Sequence, residues 1–216
     1  MGTGSAAFDS LLGGKYSLDT INLIYGPAAS GKTTCCLLAA IAVVKNNGKV
    51  IFIDTENGFS IERLKQLCGE DYKEIMENIF LLKIKSFDDQ KKKFDMLFKI
   101  VKDGRINLVI VDTLGVHYRK VLKEDVTGVN NALIEQLKIL KYIIQLGVTV
   151  LITNQVYANI NEKDKIESVG GKMVKNFSKI LIELQNMPHG NRKAILLKPK
   201  HKEILFKIKQ EGFTLE

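Results

Sequence analysis

The stretch "YGPAASGKTT", Tyr25 to Thr34, constrains this 216-residue chain more than any other. Gly26 to Thr33 fit the pattern G-x-x-x-x-G-K-[ST] in full. Gly26 and Gly31 let the backbone curl so that successive N–H groups point inward at a β-phosphate. Lys32 then reaches the β- and γ-phosphate oxygens, a catalytic as well as a binding position, and the Thr33 hydroxyl is a ligand for Mg²⁺. The whole cradle runs through Gly26, Pro27, Ala28, Ala29, Ser30, Gly31, Lys32, Thr33 and Thr34. It is preceded by an apolar run, "INLIY" at Ile21 to Tyr25, that reads as a strand. A helix from about Lys32 to Val44 follows, and its positive end faces the phosphates. ATP or a close relative, with Mg²⁺, is the expected ligand.

The rest of the chain alternates in the same way. "KVIFID" ending at Asp54, "IFLLKI" at Ile79 to Ile84, "NLVIVD" at Asn107 to Asp112 and "VTVLITN" at Val148 to Asn154 read as strands. Helical segments are expected at Ile61 to Leu67, Asp71 to Glu77, Phe87 to Lys102 and about Val129 to Leu146. In the third of these, Phe87, Phe94, Leu97, Phe98 and Val101 share one face. Strands alternating with helices imply right-handed crossovers and an α/β fold, a mostly parallel twisted sheet covered on both faces. The end differs. "KILIELQ", "KAILLKP" and "EILFKIK" follow one another across short turns and predict a C-terminal antiparallel β-meander. With no linker, repeat or low-complexity stretch, residues 1–216 read as one domain.

Composition removes several classes of function. No apolar run approaches the roughly 18–20 residues of a membrane span, and "MGTGSA" lacks the pattern of a signal peptide. Cys35, Cys36 and Cys68 have neither disulfide-framework nor zinc spacing. A cytoplasmic protein without a membrane partner is expected. The net charge of +8 suits a polyanionic partner, and it is unevenly spread. Between Gly190 and Lys209 seven basic residues stand against the single acid Glu203, whereas Lys91, Lys92 and Lys93 sit among Asp88, Asp89 and Asp95 as a solvated helix face.

Two acids can complete a phosphate site. Asp112 ends its strand at the carboxyl mouth of a parallel sheet, where it can hold Mg²⁺ through water or simply cap the strand. Glu56, just past "KVIFID", can orient and deprotonate an attacking water, or be an ordinary acid of a surface loop.

Those stretches carry a resemblance. "FIDTENGFSIERL", Phe52 to Leu64, resembles the RecA/RadA recombinase family, in which the acid after this strand activates water; that acid is Glu56 here. "LITNQV", Leu151 to Val156, is similar to the family's γ-phosphate-sensing segment, which makes Gln155 the sensor. "TGSAAFDSLLGG" at Thr3 to Gly14 resembles the lead into the ATPase core. "VHYRK" at Val116 to Lys120 resembles the start of the first DNA-binding loop, and "VGGKMVKNFSKILIEL" at Val169 to Leu184 the exit from the second. The match is in order along essentially the whole chain. It implies a RecA-like P-loop ATPase core and an arginine stacked on adenine at Arg63. It also implies phosphate contacts to single-stranded or branched DNA from Arg119, Lys120 and Lys123, and from Lys163, Lys165, Lys172 and Lys175.

Three departures shape the expectation. The family's helical N-terminal domain and aromatic polymerisation motif do not precede the core. The His after the paired glycines of the second loop is Lys172 here. "LKPKHKE" at Leu197 to Glu203 replaces an acidic cap over a neighbour's nucleotide. The resemblance is therefore to core-only archaeal paralogues of RadA. It implies ATP binding with weak hydrolysis, DNA binding with little strand exchange, and a monomer or small oligomer. Partners implied are a RadA-type recombinase or a Holliday-junction resolvase. The alternative is a KaiC-like ATPase acting on proteins, against which stand the basic loops after Asp112 and Gln155. A nucleotide kinase needs an arginine-rich lid, and the chain offers few arginines beyond Arg63, Arg105, Arg119 and Arg192.

Overall fold

The computed structural model describes residues 2–158, 166–168 and 171–216; at 103–104, 157–158, 166–168 and 171–172 the description is of the backbone. In chain order the helices are α1 (Ala6–Leu12), α2 (Lys32–Val44), α3 (Ile61–Cys68), α4 (Tyr72–Glu77), α5 (Phe87–Gly104), α6 (Val116–Val121), α7 (Val126–Gln145) and α8 (Gly171–Phe177). The strands are β1 (Ile21–Gly26), β2 (Lys49–Asp54), β3 (Ile79–Lys83), β4 (Ile106–Asp112), β5 (Thr149–Ala158), β6 (Ile166–Ser168), β7 (Ser178–Asn186), β8 (Asn191–Lys198), β9 (Lys202–Lys209) and β10 (Gly212–Leu215).

The sheet runs β10-β9-β8-β7-β1-β5-β4-β2-β3, with β6 paired to β5 off this path. From β7 to β3 every neighbour on the path is parallel. From β7 to β10 neighbours are antiparallel. This is the mostly parallel α/β sheet with an antiparallel C-terminal extension that the alternation of the sequence predicts. The parallel strands are near-continuous runs of Ile, Leu and Val because both their faces are covered. One face packs on α1, α2 and α3 through Phe8, Leu37, Phe52, Leu64 and Phe206. The other packs on α5 and α7 through Leu23, Ile53, Phe94, Leu97, Leu133 and Leu137.

Two expectations need correction. The meander has a fourth strand, β10, whose Phe213 stacks on Phe8 and meets Phe206 edge-on, with ring centroids 5.2 and 4.8 Å apart. On α5, Phe87, Phe94, Leu97 and Val101 are buried, but Phe98 is 42% exposed. At 100° per residue Phe98 lies on the outer edge of the apolar arc, beyond the reach of α7. Among the described residues no helix is long and apolar enough to cross a membrane.

Strand register positions what matters. Parallel pairing sets Gly26 level with Gln155 and Asp54 level with Asp112, all at the carboxyl edge of the sheet. Residues separated by more than fifty positions in sequence thus share one rim, the place where open α/β sheets bind ligands.

Candidate functional site

A cavity of about 430 Å³ opens at that rim, lined by residues 28–34 of the glycine-rich loop together with Glu56, Gly58, Asp112, Thr113, Gln155 and Ile208. The loop's glycines are required by space. A Cβ on Gly26 would sit 2.5 Å from the Leu184 carbonyl oxygen, and Gly31 has φ +105° with the Ile208 side chain 3.0 Å from a Cβ. Ala29 also has a positive φ, 58°. Its conformation is held from outside: Asn186 Nδ2 donates to the Ala28 carbonyl at 3.2 Å, and Arg192 Nε to the Ala29 carbonyl at 3.2 Å. The loop is thereby fastened at its apex to the ends of β7 and β8.

Lys32 opens α2, and its ammonium donates to the carbonyls of Gly26 at 3.0 Å and Pro27 at 2.7 Å. Burial of the amine lowers its pKa, while Asp112 and Glu56 work in the opposite direction. Pro27 contributes this carbonyl from outside the cavity wall. Thr33 Oγ1 donates to Asp112 Oδ2 at 2.7 Å, and Thr153 Oγ1 donates to the other Asp112 oxygen. Asp112 is 3% exposed. Burial raises its pKa, opposed by the two threonine hydrogen bonds and assisted by the charges of Glu56 and Asp54.

Glu56 is exposed at the rim, and both its carboxylate oxygens are held. Thr113 Oγ1 donates to its Oε1 at 2.7 Å and Gln155 Nε2 to its Oε2 at 2.6 Å. Its backbone is set by Asp54, whose carboxylate accepts from the N–H groups of Glu56 (3.2 Å), Gly58 (3.0 Å) and Phe59 (3.1 Å). Thr55 and Thr113 are tied by two further bonds that lock the end of β2 to the end of β4. Sequence reasoning missed Asp54, Asn186 and Arg192. An Asp two residues before the candidate base is the one local signal that was there to read, since Asp side chains commonly bind backbone N–H groups in the turn that follows.

Arg63 does not line the cavity. Its guanidinium donates to the carbonyls of Gln210 (3.0 Å) and Lys209 (2.8 Å) and to Gln66 (2.8 Å), beside the Ile208 wall. Arg119, Lys120 and Lys123 are exposed on α6 and the turn after it. Lys175 is half-buried, its ammonium 4.6 Å from the centroid of the Tyr25 ring, so it lies against β1 rather than projecting with the other basic residues. Tyr25 in turn donates to Glu183 at 3.0 Å. Lys163 and Lys165 lie outside the described residues, and of Lys172 only the backbone in α8 is described.

The arrangement suits a nucleoside triphosphate. The Ser30 hydroxyl, in the wall of the cavity, is buried without a hydrogen-bond partner among the described residues. Thr33 and Asp112, hydrogen-bonded to each other here, supply the hydroxyl and carboxylate oxygens, hard donors of the kind Mg²⁺ takes.

Comparison with known proteins agrees with the fold. The Rad51 family model matches residues 1–215. The chain is similar to the "DNA repair and recombination protein RadB" of Methanosphaera stadtmanae, 35% identical over 92% of this chain and 86% of that protein. It is also similar to the protein of the same name from Methanococcus maripaludis, 34% identical over 96% of each. A solved structure described as the RadB recombinase superposes with a TM-score of 0.83 at 32% identity, covering 98% of this chain and 97% of that one. The chain belongs to the Rad51 family and, within it, to the RadB proteins.

Proposed function

We propose that this protein is an ATP- and DNA-binding accessory factor of homologous recombination and DNA repair, built on one ATPase core and hydrolysing ATP slowly. One observation carries the nucleotide half of this reading: Lys32, Thr33, Asp112, Glu56 and Gln155, drawn from four separate segments, line or face a single cavity. Loop N–H groups and Lys32 bind the β- and γ-phosphates, and Arg63, beside the Ile208 wall, meets the adenine after exchanging its contacts with Gln66, Lys209 and Gln210 for the base. Thr33 and Asp112 would hold Mg²⁺, which would supply positive charge to the phosphate oxygens. Glu56 takes a proton from water as its oxygen attacks the γ-phosphorus and the bond to the β-phosphate oxygen breaks, giving ADP and phosphate.

Slow turnover is supported by the surroundings of Glu56. Each carboxylate oxygen already accepts a hydrogen bond from a neighbouring side chain, which holds the acid in its present orientation and opposes its turning toward a water. Gln155 starts the segment leading to the second DNA loop, so a ligand there can release Glu56. DNA binding is supported by the net charge of +8 and by the exposed Arg119, Lys120 and Lys123. The similar proteins' names place them in repair and recombination. We include a monomer or small oligomer, little strand exchange, and a RadA-type recombinase or junction resolvase as partner, on the basic stretch 197–203 where the family has an acidic cap.

The test is ATP and DNA binding by the same preparation. Binding of a labelled single strand is followed at two salt concentrations, and ATP binding by calorimetry. Affinity for both, with a steep salt dependence for DNA, is the expected result. ATP binding without DNA affinity at low salt would return the protein-directed ATPase as the better reading.

A further inference from the structure

A second cavity, about 560 Å³, opens on the same rim, between the ends of β2 and β3 and the start of α6. Lys83, Lys85 and Lys120 line it with Asn57 and the buried His117, and Glu56 stands in its wall as well as in that of the nucleotide cavity. The three lysines come from two elements far apart in sequence, and none of them holds an ion pair among the described residues. Of the nearby acids, Glu56 lines the cleft, and Asp89 accepts from the backbone N–H of Lys85 at 2.9 Å. Asp88 pairs with Lys91 at 2.7 Å and Asp89 with Lys93 at 2.9 Å. Asp54 is turned into its own loop. Three lysines against the single lining carboxylate, Glu56, leave the cleft net positive.

We infer that this cleft takes phosphodiester groups of single-stranded DNA, which extends the DNA path from α6 across Lys85 and Lys83 to within one side chain of Glu56. The inference rests on the DNA-binding reading above and adds residues that the motifs did not single out. Continuity supports a polymer: Lys120 lines the cleft, follows the exposed Arg119 on α6, and precedes the exposed Lys123 in the next turn. Neither Phe nor Tyr lines the cleft, so contact is through phosphates, without base stacking and with no preference among sequences. Placing a phosphodiester here brings negative charge next to the Glu56 loop, a route by which bound DNA acts on the hydrolytic acid without passing through the second loop.

The test compares the parent with Lys83→Ala/Lys85→Ala, Lys83→Arg/Lys85→Arg and Arg119→Ala/Lys120→Ala. Each binds a fluorescent oligothymidylate across a salt series, and ATP affinity is measured alongside. The alanine pair at 83 and 85 should lower the salt slope by about 1.4, since each phosphate contact on a single strand contributes about 0.7. It should leave ATP affinity at the parent value, and the arginine pair should restore the slope. A parental slope for the alanine pair, with a reduced slope for Arg119→Ala/Lys120→Ala, would overturn the cleft while leaving DNA binding intact. Loss of inorganic phosphate binding in the alanine pair, read by phosphorus NMR, with an unchanged DNA slope would also overturn it in favour of a free-phosphate site. A parent that does not bind the oligonucleotide at low salt would overturn both readings.

Discussion

Gln155 donates its side-chain amide to Glu56 at 2.6 Å, joining the residue level with the start of the phosphate loop to the candidate general base. Removing the amide relieves one competitor for Glu56 but also removes the γ-phosphate sensor that the family resemblance implies, and the second effect outweighs the first. Gln155→Ala should keep ATP affinity within about threefold and lower kcat by about 10²-fold, the usual cost of losing a transition-state donor. Calorimetry with a phosphate-release assay separates the two. An unchanged kcat would make the contact structural only.

Lys32 is held by its own loop carbonyls, so its charge is already poised beside the phosphate positions. Lys32→Ala should weaken ATP by about 100-fold or more, because a buried phosphate charge loses its partner. Equal affinity in calorimetry would remove the phosphate-loop reading.

Asp112 gives a stability prediction with a definite sign. Burial raises its folded-state pKa, so the folded protein binds this proton more tightly than the unfolded chain does. Its contribution is therefore destabilising once pH rises above the folded value, and it vanishes below the unfolded value of about 3.9. Asp112→Asn should raise the thermal midpoint of the nucleotide-free protein at pH 7, with the difference from the parent shrinking toward pH 4. The same variant should lose the Mg²⁺ dependence of ATP binding. A lower midpoint at pH 7 would contradict the burial argument.

Arg192 belongs to the basic C-terminal stretch by sequence, yet its Nε donates to the Ala29 carbonyl in the phosphate loop. Arg192→Ala should weaken ATP by about fivefold, as for one lost hydrogen bond of roughly 1 kcal/mol, with little change in DNA affinity. The reverse pattern would return Arg192 to the DNA surface.

Much of this site was legible in the chain because parallel strands deliver their carboxyl ends to one rim. Once "KVIFID", "NLVIVD" and "VTVLITN" read as strands, the positions just past them had to converge on the loop after "INLIY". Glu56, Asp112 and Gln155 follow from that rule together with the family resemblance. What was not legible depends on packing between distant segments. Asn186 and Arg192 reach the loop only because β7 and β8 add to the sheet beside β1. β10 is four residues long and owes its place to Phe213 packing on Phe8 and Phe206, whose rings also meet edge-on. Phe98 shows the limit of periodicity: the apolar arc of α5 is wider than the face that α7 covers. The cleft of Lys83, Lys85 and Lys120 has no local signature, since its lysines lie on different elements.

The central claim is that Glu56 activates water for ATP hydrolysis, and Glu56→Gln tests it most directly. The amide is the same size and can still meet Thr113 and Gln155, but it cannot take a proton. Single-turnover phosphate release should fall by about 10²–10⁴-fold, the usual worth of a general base, while ATP affinity stays at the parent value. Parental hydrolysis in Glu56→Gln with ATP bound would contradict the account.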